Sequence, residues 1–144
     1  MNTIDAGHVV RRLATATNDH DIDGLVRCFA DDYVNETPAH PARGFHGSEQ
    51  VRRNWTQLFA GIPDLSVEVL ATAVDGADVW SEWRMSGTRR DGIPHLTRGV
   101  IIFTIAAERI IAGRFFLEPV DESSDGADAT IARFAGEPLS EAKP

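Results

Sequence analysis

Between Leu65 and Val120 the chain alternates β-prone segments with tight-turn signals, which restricts the folds open to it. Ser66–Ala73, Val79–Thr88, Leu96–Ile105 and Ile110–Pro119 are rich in Val, Ile, Thr and aromatic residues. Asp75-Gly76 and Asp91-Gly92 supply the positive φ that hairpin turns need. Four strands joined this way predict an antiparallel meander. The residues before it carry helical patterns instead. Ile4, Val9, Val10, Leu13 and Ala14 recur at helical spacing up to Asn18. Asp21 is placed to cap a second short helix through Ile22, Leu25, Val26 and Phe29. Gly47-Ser48 opens a third, with Val51, Trp55, Leu58 and Phe59 on one face and Gly61-Ile62-Pro63 ending it. Between the second and third helices, Ala30-Asp31-Asp32 reads as a turn and Tyr33–Thr37 as a short strand stopped by Pro38 and Pro41. Helices grouped before strands imply an α+β fold, a curved antiparallel sheet packed on three helices as a cone.

With 144 residues the chain has room for one core. Residues 1–120 are expected to form it. Residues 121–144 read as an acidic tail in which only Ile131 and Phe134 can anchor a helical turn. The net charge of -8 and pI near 5.0 argue against a nucleic-acid surface, which needs a concentrated basic patch. No apolar run approaches the roughly 20 residues of a membrane span, and the start has no secretory pattern, so a cytoplasmic protein is expected. One cysteine, Cys28, allows neither an internal disulfide nor a cysteine metal cluster. His40 and His46 lie in a Pro/Gly loop without a third histidine at ligand spacing, so no metal and no other cofactor is expected.

The element order, the string Cys28-Phe29-Ala30-Asp31-Asp32-Tyr33-Val34-Asn35-Glu36-Thr37-Pro38, and the segments Trp83–Gly87 and Arg109-Ile110 together resemble the nuclear transport factor 2-like superfamily, in particular its SnoaL-like and ketosteroid-isomerase-like branches. The resemblance implies a cone whose inner face holds the site. It also implies cofactor-independent acid/base chemistry of isomerase, polyketide-cyclase or epoxide-hydrolase type, or binding without catalysis. Enzymes of this kind bury carboxyl groups on the inner face to raise their pKa. Here the position resembling the isomerase base falls on Thr37. Those resembling the epoxide hydrolase's arginine and aspartate fall on Trp83 and Met85. The oxyanion-stabilising position falls on Ile101, and the cyclase-like aspartate on Phe115.

Side chains two apart share a strand face. On this match Trp83, Met85, Gly99, Ile101, Phe103, Phe115 and Leu117 line the concave face, and Tyr33, Asn35, Thr37 and Trp55 give it polar handles. Expected ligand-binding residues are therefore Tyr33, Asn35, Thr37, Trp55, Trp83, Met85, Ile101 and Phe115. The opposite set is Trp80, Glu82, Arg84, Arg98, Val100, Ile102, Arg114, Phe116 and Glu118, apolar with matched charges, which suits a homodimer through the sheet. A one-residue bulge would exchange the two sets. Glu118 or Glu36 would then be the base, Arg98 or Arg114 its electrostatic partner, and Tyr33 or Asn35 the hydrogen-bond donor. Without the exchange, Glu118 and Glu82 are outer-face ion-pair partners of the arginines. The expected ligand is a mostly apolar polyketide, terpenoid or steroid-like molecule. Two alternatives stand beside the enzyme: a non-catalytic carrier or sensor of such a molecule, and a dimeric interaction module.

Overall fold

A computed structural model describes residues 6–137; Ile4 lies outside them, as does the tail beyond Glu137. The chain runs α1 (Ala6–Asn18), α2 (Ile22–Arg27), β1 (Phe29–Glu36), a 3-10 turn (Pro41–Arg43), β2 (Phe45–His46), α3 (Ser48–Gly61), β3 (Ser66–Asp75), β4 (Asp78–Thr88), β5 (Pro94–Ala106), β6 (Arg109–Pro119) and α4 (Ala127–Phe134). The six strands form one curved sheet in the order β2-β1-β6-β5-β4-β3, the α+β cone expected. β3 to β6 are the antiparallel meander, while β1 joins β6 in parallel.

Local chemistry explains the helix boundaries. Asp21 accepts from the Gly24 amide at 3.0 Å and caps α2. Asn18, the last residue of α1, donates Nδ2 to the Val67 carbonyl at 3.0 Å and accepts the Val67 amide at 2.7 Å. It thereby locks α1 onto β3. His20 bonds the Leu65 carbonyl and stacks on Phe59 at 4.3 Å, tying the α1–α2 turn to the end of α3.

β1 starts at Phe29, four residues before the expected Tyr33, and Phe29 belongs to it rather than to the second helix. Its register on β6 shifts between Phe29 and Val34. The bulge turns Asp31 and Asp32 outward, so they are strand residues that look like turn residues in sequence. β2 is invisible in the amino-acid sequence because two residues carry no periodicity. α3 has Gly47 as N-cap with no side-chain cap; Ser48 is its first helical residue. In the tail, α4 is a full two-turn helix, and Ile131 and Phe134 are 60% and 82% exposed, so they are left largely uncovered among the described residues.

The core lies between α1, α3 and the concave face. Val9, Val10, Leu13, Tyr33, Val51, Trp83, Ile101 and Phe103 are buried there. Trp80 and Phe116, 45% and 40% exposed, stand on the opposite face with Arg84 and Arg98. Gly99 pairs with Leu117 across β5 and β6 at a φ that side chains rarely adopt, and a Cβ there would collide with the Phe116 carbonyl. Among the described residues, no helix is long and apolar enough to cross a membrane.

Candidate functional site

A cleft of about 260 Å³ opens between β1, α3 and the inner face of β4 and β6. β1 places Tyr33 and Asn35 on its inward side, and Thr37 follows on the same side. Trp55 and Leu58 from α3, Met85 from β4, and Phe115 and Leu117 from β6 complete most of its wall. Arg43 and Asn54 stand at its polar edge. Trp55, Met85, Phe115 and Leu117 also border a deeper void of about 30 Å³, closed by Trp83, Ile101, Phe103, Val67, Leu13 and Thr17. All eight residues expected to contact a ligand border one or both of these spaces.

Several of the polar groups inside are paired within the wall. Tyr33 Oη donates to Asn35 Oδ1 at 2.7 Å. Burial pushes the Tyr33 pKa far up, so the hydroxyl keeps its proton and stays a donor. Trp83 Nε1 donates to Ser81 Oγ at 2.8 Å, and Ser81 donates onward to the Ile101 carbonyl at 2.7 Å. These bonds satisfy the indole within the wall. Asn35 Nδ2 has no protein partner among the described residues.

The four residues expected to carry catalysis stand elsewhere. Arg98 and Glu118 face each other in register on the convex side of β5 and β6, and Arg114 shares their strand face. Arg98 donates to Glu82 at 3.1 Å, the outer-face pair expected without a bulge. Glu118 turns instead to His40, whose Nε2 lies 3.2 Å from Oε2. Glu36 is exposed and borders a different cleft with Pro38, Pro41 and Gly44. None of the four lines the cleft or the deeper void. The parity is that of the unshifted match, and the exchange that would have brought the charges inside does not occur. Of the two histidines expected in the loop, His40 meets Glu118 and His46 is paired in β2, while Arg43 stands at the cleft edge. Among the described residues, no three His, Cys, Asp or Glu side chains gather as a metal site.

A larger groove of about 550 Å³ lies between α1, α2 and the β5–β6 turn. Arg12, Arg27 and Arg109 there face Asp19, Asp21 and Glu108, a balanced charge set open to solvent. The cleft under β1 combines an apolar wall with a few convergent polar groups, the usual make-up of a small-molecule site.

The SnoaL-like domain profile matches residues 10–113, most of the cone. The chain belongs to the SnoaL-like domain family. No curated protein matches this SnoaL-like chain in sequence. Among solved structures it is similar to wild-type IdmH of Streptomyces antibioticus, a candidate polyketide cyclase (TM-score 0.70, 18% identity, 80% of this chain and 93% of that one). An LEH-like epoxide hydrolase of M. tuberculosis is similar at TM-score 0.68 and 18% identity, over 78% of this chain and 82% of that one. A hypothetical protein with a ketosteroid isomerase-like fold from Catenulispora acidiphila DSM 44928, in complex with trimethylamine, is similar at TM-score 0.66 and 18% identity, over 90% and 93% of the two chains. Identities this low establish a shared fold. The SnoaL-like cone of this chain must therefore be read from its own inner face.

Proposed function

We propose that the chain binds a compact, mostly apolar small molecule in the cleft under β1, held by packing against Trp55, Met85, Phe115 and Leu117 and oriented by Asn35. The observation that carries this reading is the inner face itself: apolar at Trp83, Met85, Ile101 and Phe115, with Asn35 Nδ2 as its unpaired donor. A space of about 260 Å³ sits at the small end for ligand sites, which favours one or two fused rings over a four-ring steroid. Transformation by buried carboxylates, the chemistry of the enzymes this family resembles, would need Glu118 or Glu36 at the ligand. Both are turned away, so binding without conversion is the better-supported function.

The test is a titration of the two wall tryptophans, Trp55 and Trp83, by fluorescence with mono- and bicyclic ketones, followed by mass analysis of each ligand after long incubation. Saturable quenching with the ligand recovered unchanged is the expected result, and Glu118→Gln and Glu36→Gln should bind as the wild type does. Accumulating product that either variant abolishes would overturn the reading in favour of acid/base catalysis.

A further inference from the structure

The Tyr33–Asn35 bond depends on a residue eighty positions further along the chain. Asn35 is the register partner of Gly113 on β6. A Cβ built on Gly113 would stand 2.5 Å from Tyr33 Oη and 3.3 Å from the Phe103 ring. Gly113 lies in mid-strand and is not among the positive-φ glycines, so its backbone is one that any residue adopts. What glycine provides here is space: the Tyr33 hydroxyl occupies the volume that a side chain would fill.

That seat decides what the site can recognise. The Tyr33 hydroxyl has one proton, and Asn35 Oδ1 is its acceptor among the described residues. An amide turned the other way would present Nδ2 to the hydroxyl and leave its buried proton without an acceptor, an expensive arrangement. Oδ1 is therefore held toward Tyr33, and Nδ2, which can only donate, is the group left for the cleft. We propose that Gly113 is a positioning residue which, by seating Tyr33 Oη, locks Asn35 as a one-way donor and so selects ligands that present a neutral acceptor oxygen, such as a carbonyl or ether, at this point. The proposal rests on the reading of the cleft as a ligand site and adds the polarity of its recognition.

Two probes with the same bicyclic skeleton test it: 2-tetralone, which carries a carbonyl, and tetralin, which does not. In the wild type, 2-tetralone should bind about fivefold more tightly than tetralin, the effect of one net hydrogen bond. Gly113→Ala drives a methyl into the hydroxyl, and the ratio should fall toward one. Tyr33→Phe removes the hydroxyl, frees the amide to turn, and should lower the ratio in the same way. The double variant Gly113→Ala/Tyr33→Phe relieves the collision, so its thermal stability should recover relative to Gly113→Ala while its probe ratio stays low. That pattern separates positioning from general damage. A Gly113→Ala protein that weakens both probes equally, or a Tyr33→Phe protein that keeps the wild-type ratio, overturns the proposal while leaving the ligand site intact. Failure of the wild type to bind either probe overturns the ligand reading and the proposal with it.

Discussion

Replacing Thr97 by valine should make this protein more stable, although the residue is buried and polar. Thr97 is 8% exposed on the inward side of β5, between Met85 on β4 and Pro119 on β6. Its Oγ1 is buried without a hydrogen-bond partner. A buried hydroxyl left unpaired costs roughly 1–3 kcal/mol, because the water it bonded in the unfolded chain is not replaced. Valine keeps the β-branch and the strand preference and exchanges that hydroxyl for a methyl. Fitting the slightly larger methyl into a packed wall returns part of the gain. The net expectation is about 1 kcal/mol of added stability. For a chain of this length that is a rise of about 2–4 °C in Tm. In urea it is a midpoint shift of about 0.5 M with an unchanged slope. Thr97→Ser, which keeps the hydroxyl and loses the methyl, should move the midpoint down. A Thr97→Val midpoint equal to or below wild type would refute the reasoning, since it would mean that Oγ1 has a partner in solution.

Two further outcomes follow from the surface and from the neighbouring strand. We propose that the convex strip of Trp80, Val100 and Phe116, bordered by the Arg98–Glu82 pair, mates with a second copy of the chain. Light scattering should give the wild type twice 15.7 kDa and Trp80→Glu/Phe116→Glu a single copy, and a monomeric wild type would end the idea. Next to Thr97 in strand parity, His95 has its pKa pulled down by burial and then by the charge of Arg89. As pH falls, the unfolded chain takes up that proton first, so the contribution is complete above about pH 6.5 and is lost on the acid side until the folded imidazole also protonates. The urea midpoint should therefore drop more between pH 7.5 and 5.5 in the wild type than in His95→Gln; equal drops would show that His95 is not the group responsible.

Much of the cone is legible in the amino-acid sequence because its signals are local. Asp75-Gly76 and Asp91-Gly92 mark two hairpins, and the apolar residues of β4, β5 and β6 recur with period two, so inner and outer sets separate on paper. Features that depend on distant partners do not show this way. The start of β1 is hidden because Asp31 and Asp32 look like turn residues, and only pairing with β6 shows a bulge that turns them outward. The exposure of Phe134 is invisible because an amphipathic helix reads the same whether or not anything covers it. Tyr33 looks like a donor for a ligand, yet its proton goes to Asn35, and the glycine that permits this sits on another strand.

The identity of the inner face, and with it the choice between binding and catalysis, rests on an uninterrupted register. Three cross-strand rows build the wall: Ser81, Ile101 and Phe115; Trp83, Gly99 and Leu117; Met85, Thr97 and Pro119. The irregularities in the meander fall outside them, between Val69 and Ala71 on β3 and between Thr104 and Ile105 on β5. A slip of one residue within the rows would bring Glu82, Arg98, Arg114 and Glu118 inward, but it would also bury those charges and expose Trp83, Ile101 and Phe103. That double penalty opposes the exchange at every row. The charged set of the outer face is thereby held off the cleft, whose rim carries a single guanidinium among its lining residues, Arg43.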